Sequence, residues 1–405
     1  MNTREIKKIL DDTAYVRTGG SAEELRCAEY ISSRCADMGL ETELEAFSIP
    51  VYTDKGSSLR IDGKEVEAKI YFGSPNVSVK AEIFYLDSKD DFSIKKCKDK
   101  IVLLDGPIGY QLYGSLAGAG ALGFITYNGS FRAEDSDVDQ REIRFETEGR
   151  TIPGMAINIK EAFNIVKNEC KTAEMTVEHT VEEANSHNLI LDIRGELDEW
   201  IVFTAHYDST VLSLGSYDNM SCCIAQLALA EKLSKTPLRR SVRFVWCGSE
   251  ERGLLGSRAY CKRHAEELGK VLLNVNLDML GSVMGEFVAF SCANEETTAF
   301  LERFIKRHRF GASVRFGIRS SDSNSFVEAG VPAVSFARYS PADIAPLHTR
   351  YDTPDTVSPK RLLADIKFIE KFSEYLLNLP EYPLLREISD EISEKVEKYF
   401  SRRKK

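Results

Sequence analysis

Five short segments between Val202 and His348 each place a metal-binding side chain just beyond an apolar run. They read FTAHYDS, GSYDNMS, WCGSEERGLLGS, NLDMLG and PLHTRYDT. The candidate ligands are His206, Asp218, Glu251, Asp278 and His348, with Glu250 beside Glu251. One such segment has little weight, because a histidine can belong to a core and an aspartate can cap a helix. Five of them in this order indicate a hydrolytic site for two zinc ions.

The residue types fit the chemistry of such a site. Zinc binds imidazole nitrogen and carboxylate oxygen, and a catalytic zinc keeps one coordination position open for water. Two ions about 3.5–4 Å apart need a bridging carboxylate, and together they clamp the attacking and departing oxygens. A further carboxylate that binds no metal can take a proton from the water. The adjacent Glu250 and Glu251 can divide these roles, one as base and one as ligand.

The elements that must position these residues follow an α/β pattern after Asn185. Strands that are apolar on both faces are typical of a sheet buried between helix layers. Ligands of such sheets gather at the carboxyl ends of the strands, where His206, Glu250, Glu251 and Asp278 stand. The predicted strands are NLILDIRG, WIVFTAH, SVRFVWCG, LLNVNLDML, FVAFSC and PAVSFA, and the predicted helices span 219–233, 256–268, 295–309 and 359–377.

The first part of the chain predicts the start of the same domain and then an insertion. Residues 21–38 predict an amphipathic helix in which Ser21 is the N-cap and Glu24 completes a capping box, and the strand ETELEAFSIPV follows. Short strands dominate the next part of the chain, and the stretch 132–150 is polar and predicts an exposed loop. The predicted domains are a catalytic domain formed by 1–51 and 184–380, a mostly β insertion at 52–183, and a charged helical tail at 381–405 that is solvated or contacts a second subunit as a homodimer.

The composition narrows the class of protein. The 405 residues favour two domains, and the net charge of −10 argues against nucleic acid and against anionic membranes as partners. No apolar run reaches the ~20 residues that span a bilayer. The segment MNTREIKKILDD lacks the apolar core of a signal peptide. Together with nine scattered cysteines and no CxxC pair, this predicts reduced thiols and a cytoplasmic protein.

The ligand-bearing segments resemble the M28 family of cocatalytic zinc peptidases, which includes aminopeptidases. That family has HxD, a Gly-rich turn ending in Asp-Asn or Asp-Asp, then EExGLxGS, NxDMxG and His-Thr near Asp-Thr. Here these segments read HYD, GSYDN, EERGLLGS, NLDMLG and HTRYDT. The match covers about 185–380. KIVLLDGP, AGAGALGFITYN and IPGMAI resemble a protease-associated (PA) domain. The resemblance implies a three-layer α/β/α zinc-peptidase (phosphorylase/hydrolase-like) domain with a mostly β, PA-like insertion.

The resemblance also implies a role for each position. Glu250 is the general base that activates the shared water and later protonates the leaving amine. Asp208 accepts the second ring N–H of His206 and fixes its tautomer. The Asp218–Asn219 peptide bond is expected to be cis. The implied zinc ligands are His206 and Asp278 for one ion, Glu251 and His348 for the other, and Asp218 as the bridge.

The leading prediction is a metallo-aminopeptidase that binds the free amino terminus of a peptide and hydrolyses its first peptide bond. It would hold two Zn²⁺ per subunit, and Co²⁺ or Mn²⁺ would fit the same ligands. A carboxypeptidase or dipeptidase of the same fold is an alternative, with Arg319 or Arg338 as the clamp for the substrate carboxylate. A non-catalytic, peptidase-like binding protein is a second alternative, which the intact ligand set disfavours.

Three places depart from the family pattern. Cys222 stands where the family has the glycine of Asn-x-Ser-Gly, and Ser323 where it has the histidine of Ser-Asp-His. Leu347 stands where some relatives have a tyrosine that stabilises the oxyanion. None of the three removes a ligand, so they bear on substrate preference and rate. Asp352 and Asp355 lie in a turn that contains a proline, and they are expected to be structural and to cap the final helix region.

Overall fold

The structure is a computed structural model that describes residues 1–145 and 149–401, and it divides into two compact units. Unit 1 comprises Met1–Ile49 and Ala184–Phe400, and unit 2 comprises Pro50–Glu183. Among the described residues, none of the helices has both the length and the apolar character needed to cross a bilayer.

The regular elements are numbered in chain order. The helices are α1 (Thr3–Asp12), α2 (Ala22–Ala36), α3 (Asp91–Lys95), α4 (Tyr110–Ala119), α5 (Ile159–Lys167), α6 (Ser221–Leu233), α7 (Leu255–Arg263), α8 (Glu295–Arg307), α9 (Ser323–Glu328), α10 (Pro359–Asn378) and α11 (Asp390–Phe400). The strands are β1 (Glu43–Asp54), β2 (Ser58–Ile61), β3 (Lys64–Val66), β4 (Ala68–Phe72), β5 (Val77–Tyr85), β6 (Lys100–Asp105), β7 (Gly123–Asn128), β8 (Arg141–Glu142), β9 (Gly154–Asn158), β10 (Thr172–Val177), β11 (His179–Ile193), β12 (Leu197–His206), β13 (Arg240–Cys247), β14 (Val271–Leu277), β15 (Glu286–Cys292), β16 (Ala312–Phe316) and β17 (Ala333–Tyr339).

Unit 1 is built on an eight-stranded sheet with the order β1-β11-β13-β12-β14-β17-β15-β16. The neighbouring strands β13, β12, β14 and β17 are parallel, whereas β11 and β15 run antiparallel to the strands beside them in this group. The register places His206 opposite Cys247 and Thr204 opposite Asn276. Because parallel strands end at the same edge, the residues that follow β12, β13 and β14 meet there.

Helices cover both faces of this sheet. Successive side chains of a strand point to opposite faces, so two neighbouring residues of β12 show what packs on each face. Phe203 belongs to a core cluster that includes residues of α1, α2, α6, α8 and α10. Its neighbour Val202 belongs to a different cluster that includes Tyr260 of α7 and Phe326 of α9. The predicted mixed α/β fold is therefore confirmed, with apolar strands between two helix layers.

The start of α2 is only partly as predicted. Ser21 is the N-cap, and its hydroxyl accepts the amide N–H of Glu24 at 3.1 Å. The prediction of a capping box is wrong, because the Glu24 carboxylate accepts from Gly20 N at 2.7 Å and from Ser186 and Ser249 elsewhere in unit 1. This carboxylate is fully buried, and it binds Gly20 and distant partners of unit 1 instead of the N-cap amide that a capping box requires.

Unit 2 contains a nine-stranded sheet with the order β3-β2-β10-β5-β6-β7-β9-β4-β8. Its strands β5, β6, β7 and β9 are parallel. The prediction of an exposed loop at 132–150 is wrong in part, because Val138, Ile143 and Phe145 are buried in a core cluster of this unit. These apolar residues are too widely spaced to give a periodic signal. Residues 146–148 of that stretch lie outside the described residues.

The C-terminal helix α11 is packed rather than solvated. Ile392, Val396 and Phe400 are buried together with Leu254 and Val288 of unit 1. Its polar residues lie on the other side of the helix, which is why the segment alone predicts an amphipathic helix. The last four residues of the predicted tail, 402–405, lie outside the described residues.

Candidate metal centre

His206 and Asp208 stand at the carboxyl end of β12 and are both buried. His206 Nε2 lies 3.1 Å from Asp218 Oδ1, and His206 Nδ1 lies 3.4 Å from Asp208 Oδ1. One ring nitrogen therefore faces the candidate ligands and the other faces Asp208. A carboxylate behind a histidine in this way fixes the ring orientation and raises the basicity of the nitrogen that binds metal.

Asp218 lies in a tight turn that follows the left-handed Gly215, whose φ is 59°. The predicted cis peptide bond between Asp218 and Asn219 is present. Asp352 accepts the amide N–H groups of Tyr217 at 2.7 Å and of Asp218 at 3.1 Å. The prediction that Asp352 caps the final helix region is thus wrong, because its carboxylate holds the turn that carries Asp218.

Glu250 and Glu251 follow β13 in a turn that begins at Ser249, which has φ of 53°. The Asp208 carboxylate accepts the amide N–H of Glu250 at 2.9 Å and that of Glu251 at 3.1 Å. Asp208 therefore binds the backbone of the next ligand-bearing turn as well as facing His206. Sequence reasoning could not reveal this second role, since it depends on two main-chain amides 42 and 43 residues away.

Asp278 follows β14 directly and is buried. Its Oδ2 lies 3.3 Å from Nη2 of Arg319, whose side chain is also largely buried. The Asn219 side chain accepts the amide N–H of Met279 and donates to the carbonyl of Leu277, both at 3.0 Å. These two bonds fix the backbone on both sides of Asp278 relative to the Asp218 turn.

His348 comes from a longer loop after β17, in a left-handed conformation with φ of 59°. Its Nε2 lies 3.1 Å from Glu251 Oε2 and 3.5 Å from Asp218 Oδ2. Its side chain is 40 % exposed, whereas those of Glu251 and Asp218 are 9 % and 8 % exposed. His348 thus stands on the solvent side of the site.

The candidate ligands converge into overlapping groups, in each of which the ligand atoms lie within 4.8 Å of one another. His206, Asp218 and Glu251 each belong to two of them. The two carboxylate oxygens of Asp218 face different histidines, with Oδ1 3.1 Å from His206 Nε2 and Oδ2 3.5 Å from His348 Nε2, which is the position that a bridging carboxylate would occupy. Imidazole and carboxylate donors in one buried cluster fit zinc, and buried carboxylates need cations as partners. The groups are His206–Asp218–Asp278, Asp218–Glu251–His348 and His206–Glu250–Glu251.

The electrostatics of the cluster show how strongly it attracts positive charge. Burial opposes charging of His348, but the carboxylates of Glu251 and Asp218 outweigh burial and raise its pKa to about 11. Burial raises the pKa of Glu250 well above its usual range, and the Glu251 carboxylate adds to this while His206 acts in the opposite direction. Divalent cations compete with protons for such ligands, so we expect metal affinity to fall at low pH.

Two other expectations concern arginines near the site. Arg338 is buried and binds Asp365 through its Nε at 2.9 Å and its Nη2 at 2.6 Å, and it also donates to the carbonyl of Gly285. Its guanidinium is therefore occupied by partners within unit 1. Arg319 lies against Asp278, with its guanidinium carbon 5.2 Å from the centre of the Tyr339 ring.

The three departures from the family pattern lie around the ligands. Cys222 is fully buried in the first turn of α6, and Ser323 is fully buried at the start of α9. Leu347 is 41 % exposed and precedes His348 in the chain.

The chain is similar in sequence and in structure to known peptidases. Residues 188–371 match the family model described as Peptidase family M28. The chain is 26 % identical over 372 residues to aminopeptidase YwaD of Bacillus subtilis (strain 168), which covers 85 % of this chain and 78 % of that protein. Among solved structures, the aminopeptidase from Aneurinibacillus sp. strain AM-1 has 25 % identity and a TM-score of 0.71, over 96 % of this chain and 97 % of that one.

A zinc aminopeptidase from Bacillus subtilis, BSAP, shares the fold. It has a TM-score of 0.79 at 23 % identity, over 96 % of this chain and 98 % of that one. The matched family segment contains all five candidate ligands and both residues expected to assist them, Asp208 and Glu250.

Proposed function

We propose that this protein, whose residues 188–371 match the model of Peptidase family M28, is a metallo-aminopeptidase that uses two zinc ions and Glu250 to release the first residue of a peptide. The enzyme class, a zinc-dependent aminopeptidase, is confirmed by the family match and by the similarity to aminopeptidases. The number of ions and the roles of single residues are our proposal. The observation that carries it is that Asp218 faces both histidines, with Oδ1 next to His206 and Oδ2 next to His348.

Five residues would hold the metals. When bound, zinc ions supply a lowered pKa for a water molecule and polarise the substrate carbonyl. Cobalt or manganese would fit the same donors, so the proposal fixes the sites and not the metal used in the cell. The assignment is His206 and Asp278 for one ion, Glu251 and His348 for the other, and Asp218 for both.

Glu250 would act as the general base. It belongs to a ligand group with His206 and Glu251, yet five other residues already complete the two sites, so its carboxylate is available for a proton. A carboxylate in this position can accept a proton from the attacking water and return it to the leaving amine. Asp208 would position both this base and His206 through the contacts described above.

The carboxypeptidase or dipeptidase alternative loses one of its two candidate clamps. Arg338 is buried in its ion pair with Asp365, so it is not available to a substrate carboxylate. Arg319 is held at Asp278, a candidate ligand. The buried carboxylates around the metals instead favour a substrate that brings a positive charge, such as a free amino terminus.

Unit 2 would be a PA-like domain. The support is that KIVLLDGP and LGFITYN form the parallel neighbours β6 and β7 of its sheet, and that IPGMAI leads into β9 beside them. The homodimer expected from the sequence stays a prediction. The cytoplasmic location is likewise a proposal; its support is that all nine cysteines are free and eight of them are buried.

The test uses two short peptides that differ only in acetylation of the amino terminus. Zinc-loaded protein should release the first residue from the free peptide and leave the acetylated peptide intact, and a chelator should abolish the release. Cleavage of both peptides would contradict the aminopeptidase assignment and support the carboxypeptidase alternative. Absence of turnover with zinc bound would support the non-catalytic binding protein.

A further inference from the structure

Arg17 is a fully buried arginine between α1 and α2, outside the segment that matches the family model. In the described part of the chain, the hydrogen bonds of its guanidinium all go to main-chain carbonyl groups. The bond to Gly215 O is 2.7 Å long. The five acceptors are the carbonyl oxygens of Thr13, Tyr15, Tyr207, Leu214 and Gly215.

Two of these acceptors belong to ligand-bearing loops. Tyr207 stands between His206 and Asp208, and Gly215 begins the turn that carries Asp218. The main chain reinforces the contact, because Arg17 N donates to Ser209 Oγ at 3.1 Å and Ser209 N donates to Arg17 O at 3.2 Å. One side chain therefore ties the loop of His206 to the loop of Asp218.

Only arginine suits this position. A guanidinium offers five donors in a rigid plane, whereas a lysine offers three from one flexible point. Burying a charge costs several kcal/mol unless it is well compensated. The carbonyl dipoles provide that compensation at Arg17, and a lysine could not reach all five of them.

Glu24 of α2 makes a second connection to the site. Besides Gly20, it accepts from Ser186 Oγ at 2.9 Å, from Ser249 N at 2.9 Å and from Ser249 Oγ at 3.2 Å. Since Asp208 accepts the next two amides, buried carboxylates hold three successive N–H groups of the Glu250–Glu251 turn.

Gly19 shows how closely the N-terminal segment approaches this turn. A Cβ atom at Gly19 would lie 2.3 Å from Ser249 Oγ and 2.9 Å from Ser249 Cβ, well inside van der Waals contact. The segment from Arg17 to Glu24 therefore packs against the backbone of three ligand-bearing turns.

We propose that Arg17 and Glu24 are positioning residues of the metal centre. Arg17 fixes the spacing between the loops of His206 and Asp218, and Glu24 fixes the turn that presents Glu250 and Glu251. Both act through the main chain. The inference rests on the proposed function only in that the five ligands bind divalent cations.

The test measures metal binding directly. The dissociation constants for Zn²⁺ and Co²⁺ are determined by competition with a chromogenic chelator, and the visible spectrum of the Co²⁺ protein reports ligand geometry. Loss of a residue that orients metal ligands typically weakens binding by about 10–100-fold. We expect Arg17→Lys and Glu24→Gln to show this loss and a changed Co²⁺ spectrum.

Two variants serve as matched controls. Arg240 is also a buried arginine of unit 1 that donates to main-chain carbonyls, those of Leu376 and Leu379. Glu45 is a buried glutamate that accepts from His264. Arg240→Lys and Glu45→Gln should lower the unfolding midpoint and leave the metal dissociation constants and the Co²⁺ spectrum unchanged.

The outcomes separate this inference from the proposed function. Wild-type affinity and spectrum in both Arg17→Lys and Glu24→Gln would overturn the positioning roles while leaving the metal centre intact. A wild-type protein that binds neither ion would overturn the metal centre and this inference with it. If Arg17→Lys fails to fold, the milder Ser249→Ala decides: weaker metal binding in folded protein supports the inference, and unchanged binding overturns it.

Discussion

The two units have similarly built sheets and differ in the charge of the polar side chains that they bury. Each has a mixed sheet with four adjacent parallel strands and apolar cores. In the described part of unit 2, the buried polar residues are uncharged: Ser74, Ser93, Thr126 and Asn158. In its described part, unit 1 buries charged or titratable side chains, and most of them are candidate ligands or lie around them: Arg17, Glu24, His206, Asp208, Asp218, Asp278, Asp322 and Asp352. The others are Glu45, Arg240, Arg338 and Asp365.

The comparison shows that a sheet of this kind can form without buried charged residues, so those of unit 1 are not required by the fold alone. Buried charges are costly unless they are paired, and unit 2 forms its sheet without them. The carboxylates at the ends of β12 and β14 therefore call for a functional explanation, and divalent cations supply one. The following predictions test whether unit 1 differs from unit 2 for this reason.

The largest effect is expected from Glu250→Gln. Removal of the proton acceptor should lower kcat by about 10²–10⁴-fold, because general-base catalysis contributes that much. Metal content and the unfolding midpoint should stay near those of the wild type. Steady-state kinetics and metal analysis check this. Glu174→Gln, at an exposed glutamate in β10 of unit 2, is the control and should keep full activity; full activity of Glu250→Gln would refute the assignment.

Metal removal should affect the two units differently. A ligand at 100 times its dissociation constant stabilises its site by about 2.7 kcal/mol. Chelation should therefore speed amide hydrogen exchange in unit 1, above all where β12 and β14 end, and leave exchange in unit 2 unchanged. Equal acceleration in both units, or none in either, would contradict a metal centre confined to unit 1.

Asp352→Asn should have an intermediate effect. The substitution removes a charged acceptor for the amides of Tyr217 and Asp218, so the bridging carboxylate should lose its fixed position. We expect metal affinity to fall by about 10–100-fold, as for other residues that orient ligands. Equilibrium titration with zinc measures this. Asp198→Asn, at a position on the exposed end of β12, should bind zinc like the wild type.

The smallest expected effect is on the pH dependence of stability, to which one histidine in each unit contributes. The hydrogen bond to Glu45 raises the pKa of His264 in unit 1, so its stabilisation is present below about pH 6.5 and is lost as pH rises through the raised pKa. Burial lowers the pKa of His179 in unit 2, so its contribution is present above about pH 6.5 and is lost as pH falls through the lowered pKa.

The corresponding variants, His264→Gln and His179→Gln, should change the pH dependence of unfolding with opposite signs. Each effect should stay below about 1 kcal/mol because both groups are partly screened by solvent. Hydrogen exchange within each unit at about pH 5 and about pH 8 measures them. Changes of the same sign in both variants would show that these pKa directions do not control stability.

His206, Glu251 and Asp278 could be predicted because each stands at the end of an apolar strand or shortly after it, within its own local pattern. His206 ends WIVFTAH and Asp278 directly follows LLNVNL, and the α/β rule then places them at one edge of the sheet. The structure brings both into one ligand group with Asp218. The cis bond at Asp218 was also predicted, although from the family resemblance and not from the residues themselves.

The supporting residues could not be predicted because their roles depend on contacts that are distant in sequence. Arg17 stands in a short connection without periodicity, and its acceptor Gly215 is 198 residues away. Glu24 fits a capping box by spacing, yet its carboxylate binds Ser249, 225 residues away. Asp352 was predicted to cap a nearby helix, because its real partners, the amides of Tyr217 and Asp218, are also distant in sequence. Spacing reveals side chains that serve neighbouring residues, whereas these three serve the main chain of other loops.

The measurement that tests the central claim most directly is a zinc titration of metal-depleted protein, followed by release of the first residue from a peptide with a free amino terminus. Two ions that share Asp218 predict that activity reaches its plateau at two equivalents of zinc per chain, and that Asp218→Ala reaches no plateau in the same range. A plateau at one equivalent, or full activity of Asp218→Ala, would contradict the two-ion centre.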